Sequence, residues 1–182
     1  MHFSARKEPS ANDKIVYIHG SFDCLHNGHI ELIKKAKEQG DFLYVGVWED
    51  DLVGKFKGAN YPILSLHERV LMVMANKYVD DVVIGAPYQI NEDLVKTLNI
   101  HLVCDSKIKQ DEPIEKFASI DTYELPKKEG NFIEIDTGCE MTLETIAQRV
   151  FANRERYRAK FEKKKAAQDK YYSEQKQYVA EV

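Results

Sequence analysis

The residues from Ile15 to Ile30 constrain the fold more than any other part of the chain. An apolar run ends at Gly20, and two histidines, His26 and His29, follow just as a helical pattern of apolar residues begins. This order predicts a strand, a tight turn and the first turn of a helix that carries both imidazoles. A helix N-terminus offers unpaired backbone N–H groups and the positive end of the helix dipole. Since imidazoles can donate further hydrogen bonds, the segment predicts a phosphate-binding site.

Two histidines near a helix start can also be surface residues, or two ligands of a metal ion whose other ligands lie elsewhere. The context favours phosphate binding, because the pair follows a strand and the pattern G-x-F-D and precedes apolar residues at helical spacing. These apolar residues are Ile30, Leu32, Ile33 and Ala36.

Charge is unevenly distributed along the chain. The 182 residues suffice for one domain with a core, and their net charge is −4. Residues 154–182 hold nine basic and five acidic side chains and residues 1–13 are balanced, so residues 14–153 are acidic. An acidic body has to bind a phosphorylated ligand through a few local cations and a divalent metal. The pattern argues against a nucleic-acid partner.

The sequence carries no sign of export or membrane insertion. It has no apolar run long enough to span a bilayer, and its polar N-terminus lacks the apolar core of a signal peptide. The cysteines have neither metal-type spacing nor the even number of a disulfide framework, which predicts a cytoplasmic location. They are Cys24, Cys104 and Cys139.

Strands and helices alternate, with Glu49–Pro62 and Lys107–Ile120 predicted as loops. The predicted strands are Ile15–His19, Phe42–Trp48, Val79–Ile84, Ile100–Cys104 and Phe132–Asp136. The predicted helices are Gly28–Gln39, one from Leu66 to Ala75 or Tyr78 with a capping box of Ser65 and Glu68, Asn91–Leu98, and Thr142–Phe151. The pattern predicts an α/β fold, a Rossmann-like doubly wound parallel sheet of about five strands. The histidines then lie at the carboxyl end of the first strand, where such sheets bind ligands.

Three segments are predicted. Residues 1–13 form a flexible leader or linker, residues 14–153 a nucleotide-binding domain, and residues 154–182 a charged helical tail. The apolar residues of this tail are too sparse for a membrane-surface helix, which argues against membrane contact.

Further motifs occur in a fixed order behind the H-x-G-H pattern. They are Lys57-Gly58, Leu66-His67-Glu68-Arg69, Lys77-Tyr78-Val79-Asp80-Asp81-Val82-Val83 and Ala86-Pro87-Tyr88. The series resembles the cytidylyltransferases of phospholipid synthesis, within the H-x-G-H nucleotidyltransferase superfamily. The runs Lys57–Ile63 and Ile84–Tyr88 resemble the ethanolamine-phosphate cytidylyltransferase family, and within it the second, C-terminal repeat. The resemblance covers about Lys14 to Arg158.

The resemblance implies the reaction of CTP with phosphoethanolamine to give CDP-ethanolamine and pyrophosphate, a step of phosphatidylethanolamine synthesis. It implies that His26 and His29 hold the α-phosphate and that Lys57 reaches the phosphates from a loop, although a solvated loop lysine is the alternative. Mg²⁺ would bind mainly through the CTP phosphates, with no metal site made by the protein.

The resemblance also implies binding residues, each with a structural alternative. The nucleotide-binding residues would be Gly20, Ser21, Phe22, Asp23, Lys77 and Thr142. The substrate-binding residues would be Tyr88, Asp105 and Arg69. Asp23 can instead stabilise a turn, Arg69 can form a structural ion pair, and Tyr88 and Asp105 can serve packing or capping.

The chain departs from the family at its terminal motif. Where active members have R-T-E-G-I-S-T-[ST], this chain has Asp136-Thr137-Gly138-Cys139-Glu140-Met141-Thr142-Leu143. An aspartate in place of a phosphate-facing arginine exchanges attraction for repulsion. Lys77 likewise replaces an arginine, which keeps the charge but loses the bidentate geometry.

These departures leave three functions open. The chain is an active ethanolamine-phosphate cytidylyltransferase, a degenerate second repeat with a structural or regulatory role, or another H-x-G-H transferase such as choline-phosphate cytidylyltransferase. By analogy with the family, its partner would be a second copy or the first repeat of the same enzyme.

Overall fold

The structure is a computed structural model that describes residues 8–58, 60–108 and 120–178. The predicted leader over residues 1–13, the predicted loop Lys107–Ile120 and the end of the predicted tail therefore lie partly outside the described residues. Met1–Leu143 and Glu144–Val182 form two compact units.

The first unit is built on a parallel sheet with five strands in the described part of the chain. They are β1 (Ile15–Gly20), β2 (Phe42–Val47), β3 (Asp81–Ile84), β4 (Leu102–Ser106) and β5 (Phe132–Ile135). Their order is β3-β2-β1-β4-β5, with β1 paired to β2 along its whole length. The predicted Rossmann-like parallel sheet is confirmed.

Helices cover both faces of this sheet. They are α1 (Asn27–Lys37), α2 (Asp50–Lys57), α3 (Leu66–Met74), α4 (Glu92–Thr97) and α5 (Glu124–Glu129). Val16 and Ile18 of β1 pack in one core cluster with residues of α1 and α3, whereas Tyr17 packs in a second cluster with residues of α4. Because β1 is buried on both faces, its sequence is an apolar run rather than an alternating one.

The prediction of a loop over Glu49–Pro62 is wrong, because this range contains α2. Asp50 and Asp51 lie in its first turn, where carboxylates interact favourably with the helix dipole. Only Val53 and Phe56 are buried, so a single apolar pair at i, i+3 was too weak a periodic signal. Lys57 therefore ends a helix instead of lying within a loop.

Two further helices follow, α6 (Leu143–Ala152) and α7 (Arg154–Tyr178). The side chains of α7 are exposed over residues 154–174. Ion pairs at i, i+4 join Arg158 to Glu162 and Lys170 to Glu174. The predicted charged C-terminal helix is present. Among the described residues, none of the helices combines the length and the apolar character needed to cross a bilayer.

Gly46 of β2 tests the packing between the two central strands. A Cβ at this position would overlap the Tyr17 hydroxyl and lie 2.8 Å from the Ala86 Cβ. Gly46→Ala should therefore lower the free energy of unfolding by about 1–3 kcal/mol, measured by urea denaturation. The control is Gly20→Ala on β1, whose Cβ would meet the Phe22 ring at an ordinary 3.6 Å. Equal stability of both variants would contradict the packing described.

Candidate active site

A cavity of about 280 Å³ opens at the carboxyl edge of the sheet. Its walls come from the turn after β1, the end of β2, α2, the turn after β3 and the end of β4. The structure brings seven predicted site residues to this cavity. They are Gly20, Ser21, Phe22, His29, Lys57, Tyr88 and Asp105.

The two histidines occupy the first turn of α1. His26 is the N-cap residue and His29 the third helical residue, both buried, and their rings stack with centroids 3.9 Å apart. The His26 backbone N–H donates to His29 Nδ1 at 3.4 Å. Since a backbone amide can only donate, Nδ1 is the unprotonated nitrogen of a neutral His29, and Nε2 carries the proton. His29 can therefore offer an N–H donor beside the positive end of the helix.

The segment before α6 packs closely on this turn. A Cβ on Gly28 would lie 3.1 Å from the His26 ring and 3.2 Å from the Met141 carbonyl oxygen, so a larger residue would require these neighbours to shift slightly. Thr142 follows Met141 directly and is half-buried near the same turn. The predicted nucleotide-binding threonine is thus placed beside the histidines, outside the lining of the cavity.

Asp136, which stands where the family has arginine, takes part in a local turn. Its carboxylate accepts a hydrogen bond from the Gly138 backbone N–H at 2.9 Å, and its carbonyl accepts one from Lys35 Nζ at 2.7 Å. The carboxylate stabilises the bend after β5.

Asp23 supports the loop that leads into α3. Its two oxygens accept hydrogen bonds from the backbone N–H groups of Ile63 at 2.6 Å and Leu64 at 3.0 Å, and its side chain is buried. Of its two alternative roles, the contacts match the turn-stabilising one.

Arg69 is completely buried and joins four segments. Its guanidinium donates to the carbonyls of Ser21 at 2.6 Å, Trp48 at 2.7 Å and Leu64 at 3.1 Å. It also forms an ion pair with Asp50 at 2.7 Å, at the start of α2. Arg69 does not line the cavity. The contacts favour the structural ion pair over the predicted substrate-binding role.

Lys77 is a predicted site residue that lies at the opposite edge of the sheet from the cavity. It lies just before β3, whose parallel pairing with β2 puts this turn at the amino edge of the sheet. Its Nζ lies 5.0 Å from the centre of the Tyr78 ring. A tight α3–β3 connection returns the chain to the amino ends of the strands. Lys77 therefore does not line the cavity, although its motif resembles that of the family.

Aromatic rings and a carboxylate also line the cavity. The Tyr88 ring lies 5.5 Å from that of Trp48 and 5.3 Å from that of Phe56. Burial, together with the Asp105 carboxylate to which its hydroxyl donates, raises the pKa of Tyr123. Trp48, Phe56 and Tyr123 were missed in the sequence. Trp48 and Phe56 are brought together by α2, which the sequence pattern did not predict, and Tyr123 lies between β4 and α5.

His19 is a further residue of the cavity that the sequence did not reveal. It is 5% exposed, lines the cavity, and accepts a hydrogen bond at Nδ1 from Trp48 Nε1 at 3.4 Å. Burial lowers its pKa to about 4, against a smaller opposing effect of a hydrogen bond with the Pro87 backbone. His19 is therefore neutral at pH 7. A polar residue ending an otherwise apolar strand, directly before a glycine, was the available signal.

The Arg69 contacts predict a large effect of a conservative change. Arg69→Lys keeps the charge but cannot supply donors to several buried carbonyls, so the free energy of unfolding should fall by about 2–4 kcal/mol. The control is Arg158→Lys on the exposed surface of α7, with an expected change below about 0.5 kcal/mol. Urea denaturation of both variants gives the values, and a fully stable Arg69→Lys would refute the role described.

The environment of His19 predicts a pH dependence of stability. Between its ordinary pKa of 6.5 and the folded value of about 4, the unfolded chain binds a proton that the folded chain does not. The contribution of His19 is thus complete above pH 6.5 and falls by up to about 3 kcal/mol as the pH drops toward 4. His19→Asn retains an acceptor for Trp48 and should show a smaller loss over this range in urea denaturation. Parallel profiles of the two proteins would contradict this prediction.

Two curated proteins are similar to nearly the whole of this chain. An Arabidopsis thaliana protein named ethanolamine-phosphate cytidylyltransferase is 40% identical over 180 residues, 99% of this chain and 42% of its own length. A Dictyostelium discoideum protein of the same name is 40% identical over 168 residues, 91% of this chain and 46% of its own length. The chain therefore spans less than half the length of these curated relatives. The predicted resemblance to ethanolamine-phosphate cytidylyltransferases is confirmed.

A solved structure supports the fold. The lipopolysaccharide core biosynthesis protein from Thermoplasma volcanium superimposes with a TM-score of 0.54 at 22% identity, covering 69% of this chain and 98% of the other. Residues 17–159 match the family model described as cytidylyltransferase-like. This match includes most of β1, the other four strands, the histidine pair and the cavity, and the chain belongs to the cytidylyltransferase-like family.

Proposed function

We propose that this chain is the cytidylyltransferase part of an enzyme that joins CTP and phosphoethanolamine to give CDP-ethanolamine and pyrophosphate. The carrying observation is that the same cavity is lined by His29 and Lys57, which can bind a phosphate, and by Asp105 and aromatic rings, which can bind an amine. Phosphoethanolamine carries both groups, a phosphate and an ammonium. The names of the curated relatives support the same substrates.

The proposed reaction is a displacement at the α-phosphorus of CTP. A phosphate oxygen of phosphoethanolamine forms a new P–O bond to this phosphorus, while the bond to the bridging oxygen of the β-phosphate breaks and the electron pair leaves with pyrophosphate. Such a transfer requires positioning and charge stabilisation more than proton transfer. His29 Nε2–H, His26 and the N–H groups of α1 would hold the α-phosphate, and Lys57 would stabilise negative charge from the facing wall.

The remaining residues are assigned to the two substrates. Gly20, Ser21 and Phe22 would contact the nucleotide at the turn after β1, with Thr142 nearby. For phosphoethanolamine, Asp105 would supply the negative charge that pairs with the ammonium, and Tyr88 would offer a ring face. Because His19 is neutral at pH 7, it adds no repulsion to a bound cation.

We further propose Mg²⁺ as the metal of the reaction. Within the residues that the structure describes, no three His, Cys, Asp or Glu side chains form a group that could hold a metal ion, and Asp23 already accepts two backbone hydrogen bonds. With Asp23 engaged in this way, the ion would be held by the CTP phosphates, whose charge it would neutralise. A cytoplasmic location, a second copy or first repeat as partner, and a place in phospholipid synthesis complete the proposal.

A second candidate is a repeat that binds nucleotide without turnover. The observation favouring it is Asp136, whose carboxylate occupies the place of the family arginine and closes a turn instead of meeting a phosphate. A carboxylate near the triphosphate would weaken CTP binding by repulsion.

The test is turnover of radiolabelled CTP with phosphoethanolamine, together with calorimetric titration of CTP in the presence of Mg²⁺. His29→Ala should reduce turnover by about 10²–10³-fold, the usual loss when a donor to developing charge is removed. His67→Ala, on the exposed side of α3, is the matched control and should leave turnover unchanged.

Each outcome separates the candidates. CTP binding without product would favour the non-catalytic repeat. A folded chain that binds no CTP would overturn both.

A further inference from the structure

Three aromatic rings form a compact triangle in the wall of the cavity. Trp48 follows β2, Phe56 lies in the last turn of α2, and Tyr88 follows β3. Their ring centroids are 5.4 Å apart for Trp48 and Phe56, 5.3 Å for Phe56 and Tyr88, and 5.5 Å for Trp48 and Tyr88. We refer to these three residues as the aromatic triad. All three line the cavity and so can contact a bound cation.

The triad fixes the end of α2 that carries Lys57. The first residue of α2, Asp50, is held by the ion pair with buried Arg69, and Val53 is fully buried in the middle. At the last turn, Phe56 packs on Trp48 and Tyr88, and Lys57 is the next residue. Gly58 then ends the helix at a φ of +109°, where glycine is favoured. The position of Lys57 thus depends on how the Phe56 ring packs.

We propose that the aromatic triad couples recognition of the substrate amine to the placement of Lys57 against the phosphates, with Phe56 as the positioning residue. This inference rests on the proposed function. An ammonium bound on the rings contacts Phe56 and stabilises its packing on Trp48 and Tyr88. The same packing holds Lys57 at the cavity. Because coupling between two ligands is reciprocal, the amine should strengthen CTP binding and CTP should strengthen amine binding.

The alternative is two independent subsites that share a cavity. In that case the ammonium would strengthen only the binding of phosphoethanolamine itself. The affinity for CTP would be the same with or without the ammonium. Ethyl phosphate separates the two arrangements, because it carries the phosphate of phosphoethanolamine without the ammonium.

The experiment measures the CTP dissociation constant by calorimetry with Mg²⁺, in saturating phosphoethanolamine and in saturating ethyl phosphate. In the native chain, CTP should bind at least about fivefold more tightly with phosphoethanolamine than with ethyl phosphate, the lower end of typical coupling. Trp48, the one tryptophan in the sequence, gives a second readout through its fluorescence, which should change with phosphoethanolamine more than with ethyl phosphate.

Variants test whether Phe56 and Lys57 transmit this effect. Phe56→Leu should bring the ratio close to one, and Phe56→Met, which keeps much of the side-chain volume, should do the same if the leucine variant fails to fold. Lys57→Ala should also abolish it. The controls are Lys55→Ala, an exposed lysine of the same helix, and Phe42→Leu, a buried phenylalanine at the amino end of β2. Both should retain the native ratio.

If the native chain has the same CTP dissociation constant in phosphoethanolamine and in ethyl phosphate, the coupling is overturned and the proposed function still stands. The same holds if Phe56→Leu keeps the native ratio. A folded native chain that binds no CTP would remove the proposed function, and this inference with it.

Discussion

The buried guanidinium of Arg69 is the interaction on which the candidate site depends. It supplies donors to backbone carbonyls from the turn after β1, the end of β2 and the loop before α3, and its charge is paired with Asp50 at the start of α2. Carbonyl groups buried at the edge of a sheet need such donors, and a buried cation needs a carboxylate. One side chain thus meets the polar requirements of the walls that surround the cavity and fixes the beginning of the helix that ends in Lys57.

Charged side chains of both signs line the cavity together with aromatic rings. His29 of the first turn of α1 and Lys57 line it, as does the Asp105 carboxylate. His19 also lines the cavity, is kept neutral by burial and accepts a hydrogen bond from Trp48. A charged side chain at this buried position would lack the carboxylate partner that Arg69 has.

The sequence was informative where its signal is local. The strands, the histidine turn and the capped start of α3 follow from apolar runs and capping residues within a few positions of each other. α2 was not predicted because it buries only Val53 and Phe56. The position of Lys77 at the amino edge was not predicted because a sequence motif does not indicate which edge of a sheet it reaches. Tyr123 could not be found at all, since its contact with Asp105 joins residues separated by a long connection. Burial of Arg69 required the packing of four segments at once.

The position of β4 in the sheet has a consequence for how the chain acquires its site. The histidines and Lys57 come from β1, α1 and α2, which are neighbours in sequence, whereas Asp105 enters only when β4 pairs with β1. The hydrogen bond from the Ile15 N–H to His101 Nδ1 at this junction spans 86 residues. Such non-local pairings form slowly in folding. A ligand held by Asp105 therefore binds only chains that have closed this long loop, and it stabilises the fold at a contact between distant parts of the sequence.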